Sequence, residues 1–216
     1  INRGLFEKQQ LNIPLKRIQA VKVVEGLLRQ PLGVVSVQVV SISNIGAKGE
    51  GKVLFPLLSK AELPEFLEKV APEFSVPLEF QSLPLRAKRR YLLIITIPAL
   101  IIAILISVFL PWGYVAFILP LLGAWLGNKQ YHDAGYQLQD NILLLRSRKL
   151  GKETIIIPRR RIQSLHVSQN PFQLHSNLSN LKVAIASSNV AVTAQLKGME
   201  KEISDCIMNG LMSGHE

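Results

Sequence analysis

Residues 91–110 read YLLIITIPALIIAILISVFL, and residues 111–128 continue PWGYVAFILPLLGAWLGN. From Tyr91 to Asn128 there is no Asp, Glu, Lys or Arg, a run of 38 residues. A helix rises about 1.5 Å per residue and the hydrocarbon core of a bilayer is about 30 Å thick, so about 20 apolar residues cross it. The first segment supplies them. Pro111, Trp112 and Gly113 then signal a turn. Tyr114 to about Gly127 is a second, shorter apolar stretch that has to borrow flanking residues such as Trp112 and Asn128. The reading is a transmembrane two-helix hairpin, bent locally at Pro98 and Pro120.

Working outward, Tyr91, Trp125 and Tyr131 mark one membrane interface, and Trp112 and Tyr114 the other. Arg86, Lys88, Arg89 and Arg90 precede the first helix and Lys129 follows the second, while the turn is uncharged. Positive-inside counting therefore puts both ends in the cytoplasm, as a multi-pass protein. The same four basic residues are candidate contacts for anionic lipid. Two alternatives stand beside this reading. A hairpin buried in a soluble core would need a far larger protein around it. A small transport pore would have no ionisable residue in its spans to mark a pathway.

The net charge of +10, from 25 basic and 15 acidic residues, suits an anionic membrane surface, and no nucleic-acid motif accompanies it. Cys206 is the only cysteine, which excludes an internal disulfide and a thiol metal cluster. His132, His166, His175 and His215 lack ligand spacing. No nucleophile motif occurs, and GAKGEGK (46–52) lacks the ending of a phosphate-binding loop. The expectation is no cofactor, no metal and no enzymatic activity.

Residues 13–23, IPLKRIQAVKV, recur as IPRRRIQSLHV at 157–167, an ungapped offset of 144 with six of eleven positions identical. One structural unit is used twice. Val21, Val23, Val37 and Val39 alternate with Lys22 and Gln38, as in a half-buried antiparallel sheet. In the second copy, 141–148, 153–157, 165–168, 181–186 and 190–195 are the candidate strands. Each unit ends in a helix. The first has Leu63, Phe66, Leu67 and Val70 behind a capping box of Ser59 and Glu62; the second has Ile203, Ile207 and Leu211. The first unit lacks an opening strand and the chain begins at Ile1. Both features lead us to expect a piece of a longer protein whose first sheet has an unpaired edge.

The pattern RGLF, IPLKRIQAVKV, LGVVSVQV, a helix pair, GYQLQDNILLLRS and IPRRRIQSLHV resembles the membrane-flanked bacterial PH-like domain proteins of the YdbT/YdbS type, formerly a domain of unknown function. The resemblance implies two PH-like β-sheet domains, each with a C-terminal helix, joined by the hairpin and lying in a bacterial cell membrane. The expected division is a first PH-like domain at 1–74, a basic linker at 75–90, the hairpin at 91–128 and a second PH-like domain at 129–216. Asn177 stands in the second copy where the first has Gly33, and Pro171-Phe172 where it has Leu27-Leu28. The connection after the shared strand is therefore expected to differ between copies.

Lys16, Arg17, Arg159, Arg160 and Arg161 are the binding candidates, because guanidinium forks match phosphate and carboxylate oxygens. Arg17 and Arg161 recur with Gln19 and Gln163, which equally suits a structural job such as tying the carbonyls of a turn. The functional expectation is a membrane-anchored, non-enzymatic binding or scaffolding module engaging anionic lipid or membrane proteins. The alternative is an assembly subunit that binds other proteins or copies of itself.

Overall fold

The computed structural model describes residues 2–3, 9–10, 17–41, 52–139, 141–186 and 192–212. Asn2–Arg3 (β1) and Gln9–Gln10 (β2) form a short antiparallel pair. The first unit follows as Ile18–Glu25 (β3), Val34–Ser41 (β4), Lys52–Ser59 (β5) and the helix Leu63–Val70 (α1). A 3-10 turn at Pro72–Phe74 and the short strand Gln81–Ser82 (β6) lead to the helix Leu85–Phe109 (α2). A 3-10 segment at Gly113–Phe117 opens the helix Ile118–Asp133 (α3). The second unit comprises Gly135–Gln139 (β7), Ile142–Arg148 (β8), Lys152–Pro158 (β9) and Ile162–Ser168 (β10). It continues with Pro171–His175 (α4), Leu178–Ile185 (β11), Val192–Glu200 (β12) and Lys201–Met212 (α5).

The two units share one sheet. Its seven antiparallel strands run β5-β4-β3-β9-β8-β7-β6, and β10-β11-β12 form a second sheet. The seam is the β3–β9 ladder, from Val21 opposite Ile156 to Glu25 opposite Lys152. This corrects the expectation of an unpaired edge on the side of β3 where the first unit lacks an opening strand. The second unit lends β9, so the open N–H and C=O row of β3 is satisfied within this chain.

Around the seam the seven-stranded sheet is covered on both faces. On one, Leu144 and Ile156 pack with Val21, Val37, Leu63, Leu67 and Phe74. On the other, Leu143, Leu145, Ile155 and Ile157 pack with Leu181, Leu196, Met199, Ile207 and Leu211. Two buried faces explain why these strands read as unbroken runs, ILLL and III, instead of alternating. The expected capping box does not form. Ser59 is the last residue of β5, Glu62 is itself the N-cap of α1, and no side chain caps that helix.

Among the described residues, α2 is the one helix long and apolar enough to cross a membrane. It starts at Leu85, earlier than the expected Tyr91, so Arg86 to Arg90 ride on its first turns. Its 25 residues reach about 37 Å. With 16 residues, α3 is shorter than a full span by itself. The two helices pack closely through small residues. A Cβ at Gly127 would lie 2.5 Å from the Tyr91 carbonyl oxygen, and one at Gly123 would lie 3.2 Å from Ile95 Cγ2.

Candidate functional site

The foot of the helix pair is bound into the second unit. Arg86 donates to the Glu200 carboxylate at 2.7 Å, Arg90 to Asn180 Oδ1 at 2.7 Å, and the Tyr91 hydroxyl to the Lys197 carbonyl at 2.7 Å. Gly198 has φ +79°, and a Cβ there would sit 3.1 Å from that of Ala87, so β12 passes directly against α2. Tyr131 of α3 donates to the Leu83 carbonyl at 2.9 Å. Of the four residues expected to meet lipid, Arg86 and Arg90 are thus engaged by protein, Lys88 is half-buried and Arg89 is exposed. Beside them, the Lys129 ammonium lies 4.4 Å from the Trp125 ring centroid.

A polar network joins this foot to the seam. The Arg148 side chain is only 5% exposed and pairs with the Asp133 carboxylate at the end of α3. It also donates to Gln30 Oε1 of the first unit at 2.9 Å. Lys152 lies 3.6 Å from Glu25 and 3.7 Å from Asp133, and Lys22 lies 3.1 Å from Glu153. Burial lowers the pKa of Lys152, an effect that Glu25 opposes. Burial likewise lowers that of Arg146, against the pull of Asp133. Each cation here has an anionic or carbonyl partner from another element, so the network does the work of a joint.

The repeated arginines sit elsewhere. Strand β9 begins at Lys152, beside Asp133, and ends at Pro158, about 20 Å away at the usual rise. The 3-10 turn Arg159–Arg161, a binding candidate from the sequence, therefore lies at the end of the sheet remote from the helix pair. Arg159 donates to the Leu211 carbonyl at 3.2 Å and to Asn141 Oδ1 at 3.4 Å. Arg160 pairs with Glu73 of the first unit. Arg159 Nη2 and Arg161 Nε are buried without a hydrogen-bond partner among the described residues. Arg17, at the start of β3, is exposed, and Lys16 lies outside the described residues. Gln19 is buried and its Nε2 donates to the Arg17 carbonyl at 3.4 Å, the expected turn-tying role, whereas Gln163 is exposed.

Sequence reasoning missed a feature at the ends of the strands beside α2 and α3. The β3–β4 and β10–β11 connections fold alike despite different residues. Backbone bonds from Arg29 and Gln30 N–H to the Gly26 carbonyl recur as Gln173 and Leu174 to Asn170. Leu32 to Arg29 and Gly33 to Gln30 recur as Ser176 to Gln173 and Asn177 to Leu174. Gly33 (φ +64°) and Asn177 (φ +51°) close both turns in the left-handed region, which asparagine tolerates better than other non-glycine residues. The expected divergence of this connection is thus corrected. In the second copy, Asn170 and Gln173 form a full capping box on α4 with Pro171 in its first turn. The Asn-Pro-x-Gln signature was the available signal.

A model of the bacterial PH domain family matches residues 1–73 and 92–205. The chain is similar to the UPF0699 transmembrane protein YdbT of Bacillus subtilis (strain 168), 36% identical over 193 residues. That match covers 88% of this chain and 39% of the relative, so the chain spans about two-fifths of the relative's length. No solved structure matches the chain significantly.

Proposed function

The chain belongs to the bacterial PH domain family, in its YdbT-type transmembrane branch, and from that premise we propose that it is a membrane-anchored, non-enzymatic binding or scaffolding module. The observation that carries the proposal is α2: its apolar length is almost wholly uncovered by protein, it has no charged residue beyond Arg90, and its foot is fastened to the second unit. The 3-10 segment and α3 form the returning arm, so both β-rich units lie on one side. Support comes from the close α2–α3 packing and from Asp133 and Arg90 both being tied to the β-sheet region. The basic residues around the foot support the cytoplasm as that side, by positive-inside counting. Tethering raises the effective concentration of lipid or membrane-protein partners.

Single-cysteine variants in a Cys206→Ser background test this in intact cells. An impermeant maleimide is expected to label position 112 from outside, and position 149 only after permeabilisation. Labelling of the two positions from opposite sides in the reverse sense, or of both from outside, rejects the topology. A second reading, assembly with other proteins, is favoured by the outer strand β5, which exposes Phe55 (43%) and Leu57 (59%) along an unpaired edge of the described sheet. Crosslinking from position 57 in native membranes that returned only monomer would count against it.

A further inference from the structure

Leu28 and Phe172 occupy the same place in the two copies, 144 residues apart, and each is 88% exposed. The loops that carry them differ in sequence, LLRQ against PFQL at 27–30 and 171–174, yet keep one backbone and one bulky apolar apex. Leu32 (74%) and Leu174 (58%) are exposed in the same two loops, and Leu150 (60%) is exposed in the β8–β9 turn, where its carbonyl accepts from the Arg148 guanidinium that also reaches Gln30. A soluble surface scatters such residues singly; a cluster needs an occupant.

The contacts of these loops fix their height against the helix pair. The Gln173 amide and the Arg90 guanidinium donate to the same oxygen, Asn180 Oδ1, at 2.9 and 2.7 Å. Arg148 bridges Gln30 of the first loop to Asp133 at the end of α3. Gln130 of α3 donates to the Lys149 carbonyl at 2.8 Å in the β8–β9 turn. All three loops therefore ring the level at which charge stops on α2 and α3. Exposed Arg29, Arg89, Lys129 and Lys149 accompany them. Apolar apices beside cations, at the water–hydrocarbon boundary of a spanning helix, match the chemistry of an interfacial membrane contact.

We infer that the two repeated loops, 26–33 and 170–177, dip their apolar apices Leu28 and Phe172 into the interfacial zone of an anionic bilayer, as paired feet on either side of the helix pair. The inference rests on the reading that α2 spans that bilayer. The duplication then has a mechanical use. Two wedges hold the shared sheet at a fixed tilt to the membrane, while the Arg159–Arg161 end faces away from it.

The test uses the full chain in a Cys206→Ser background, reconstituted into phosphatidylcholine–phosphatidylglycerol vesicles. Leu28→Cys, Phe172→Cys, Leu121→Cys and Asn209→Cys are each coupled to an environment-sensitive fluorophore. Position 121 is exposed on α3, and position 209 is exposed on α5, whose end is held by Arg159. Lipids bearing a nitroxide near the headgroup are expected to quench the labels at 28 and 172 but not the one at 209. Loss of quenching at either 28 or 172, with 121 still quenched by a deep nitroxide, overturns the inference and leaves the spanning helix standing. Blue-shifted emission at 28 or 172 without lipid quenching identifies a protein occupant and also overturns it. An unquenched label at 121 takes the helix pair out of the bilayer, so the proposed membrane anchoring fails and the inference falls with it.

Discussion

Ile155 and Ile156 are neighbours on β9 yet belong to different cores, which allows a sharp test of the shared, double-sided sheet. Ile156 is 0% exposed and faces Val21, Val37 and α1 of the first unit; Ile155 is 7% exposed and faces the second. Ile→Ala removes three carbons, worth roughly 2.4 kcal/mol at about 0.8 each, before any cavity term. Measured large-to-small changes of this kind cost about 2–5 kcal/mol. Both variants are therefore expected to lose about 3 kcal/mol, whereas Leu138→Ala, at a residue 45% exposed on β7, should lose less than about 1 kcal/mol. A strand with one wet face would give a large loss at one isoleucine and almost none at its neighbour. Amide hydrogen exchange of the protein in nanodiscs reads where the loss is felt. Ile156→Ala should deprotect β3, β4, β5 and α1 of the first unit as well as β9. Protection changes confined to the second unit, or a loss below about 1 kcal/mol, would refute the continuity of the sheet across the repeats.

Gly127→Ala and Gly210→Ala make the same chemical change with opposite expected signs. The first places a Cβ 2.5 Å from the Tyr91 carbonyl oxygen and should destabilise by about 1–3 kcal/mol, while the second meets nothing within 4 Å and should gain up to about 1 kcal/mol in helix propensity. Thermal melts in one detergent check the pair, and equal shifts would count against the packed hairpin. Arg148→Met keeps the stem but leaves the Asp133 carboxylate with Lys152 as its remaining close cation, and should cost about 3 kcal/mol, the lower end of the range for breaking a buried pair. It should also raise exchange in the 26–33 loop, and an unchanged loop would mean that the bridge to Gln30 holds nothing. Lys152 has a lowered folded pKa against 10.5 for the free group, so the unfolded chain binds more protons between the two values. The stability it contributes is complete above 10.5 and is lost as pH falls through the lowered value; the wild type should therefore gain on Lys152→Arg as pH rises across that window, and parallel stability curves would refute this.

Much of this architecture was legible because it depends on period and length. The charge-free run announced a long apolar helix, the repeat announced two like units, and the strands of the second unit fell close to their expected places. What the sequence hid was partnership. Nothing local in IQAVKVVE says that its free edge will meet KETIIIP, because an edge strand and a central strand differ in what lies across the ladder. The continuous apolar runs ILLL and III did signal two buried faces, a signal that period-two reading discards. The capping box at Ser59 failed because β5 holds that residue to its end, and the tertiary pairing outweighed a motif worth about 1 kcal/mol. The arginine turn was legible as a cluster but not as to its direction, since which end of a strand meets the membrane is set by the fold.

The two copies show what the duplication constrains. Aligned strands β3 and β10 have unlike surroundings: Ile18 is 3% exposed while Ile162 is half-buried, Gln19 is buried while Gln163 is exposed, and Ala20 is 0% exposed where Ser164 is open. Ile18 packs in one core and Ala20 in the other, whereas Ile162 is only partly covered by the second core and, among the described residues, β10 pairs with β11 alone. The repeated Arg-Ile-Gln therefore cannot owe its identity to one packing environment. The loop at the other end of each strand behaves in the opposite way, with different residues in a common backbone and a common exposed apex. Its closure is shared too, since the Lys60 N–H donates to the Gly33 carbonyl and the Lys201 N–H to the Asn177 carbonyl, each at the junction leading toward the unit's final helix. Geometry that survives a change of sequence, at the end of the sheet beside the helix pair, is what the inferred contact of both loops with a membrane surface requires.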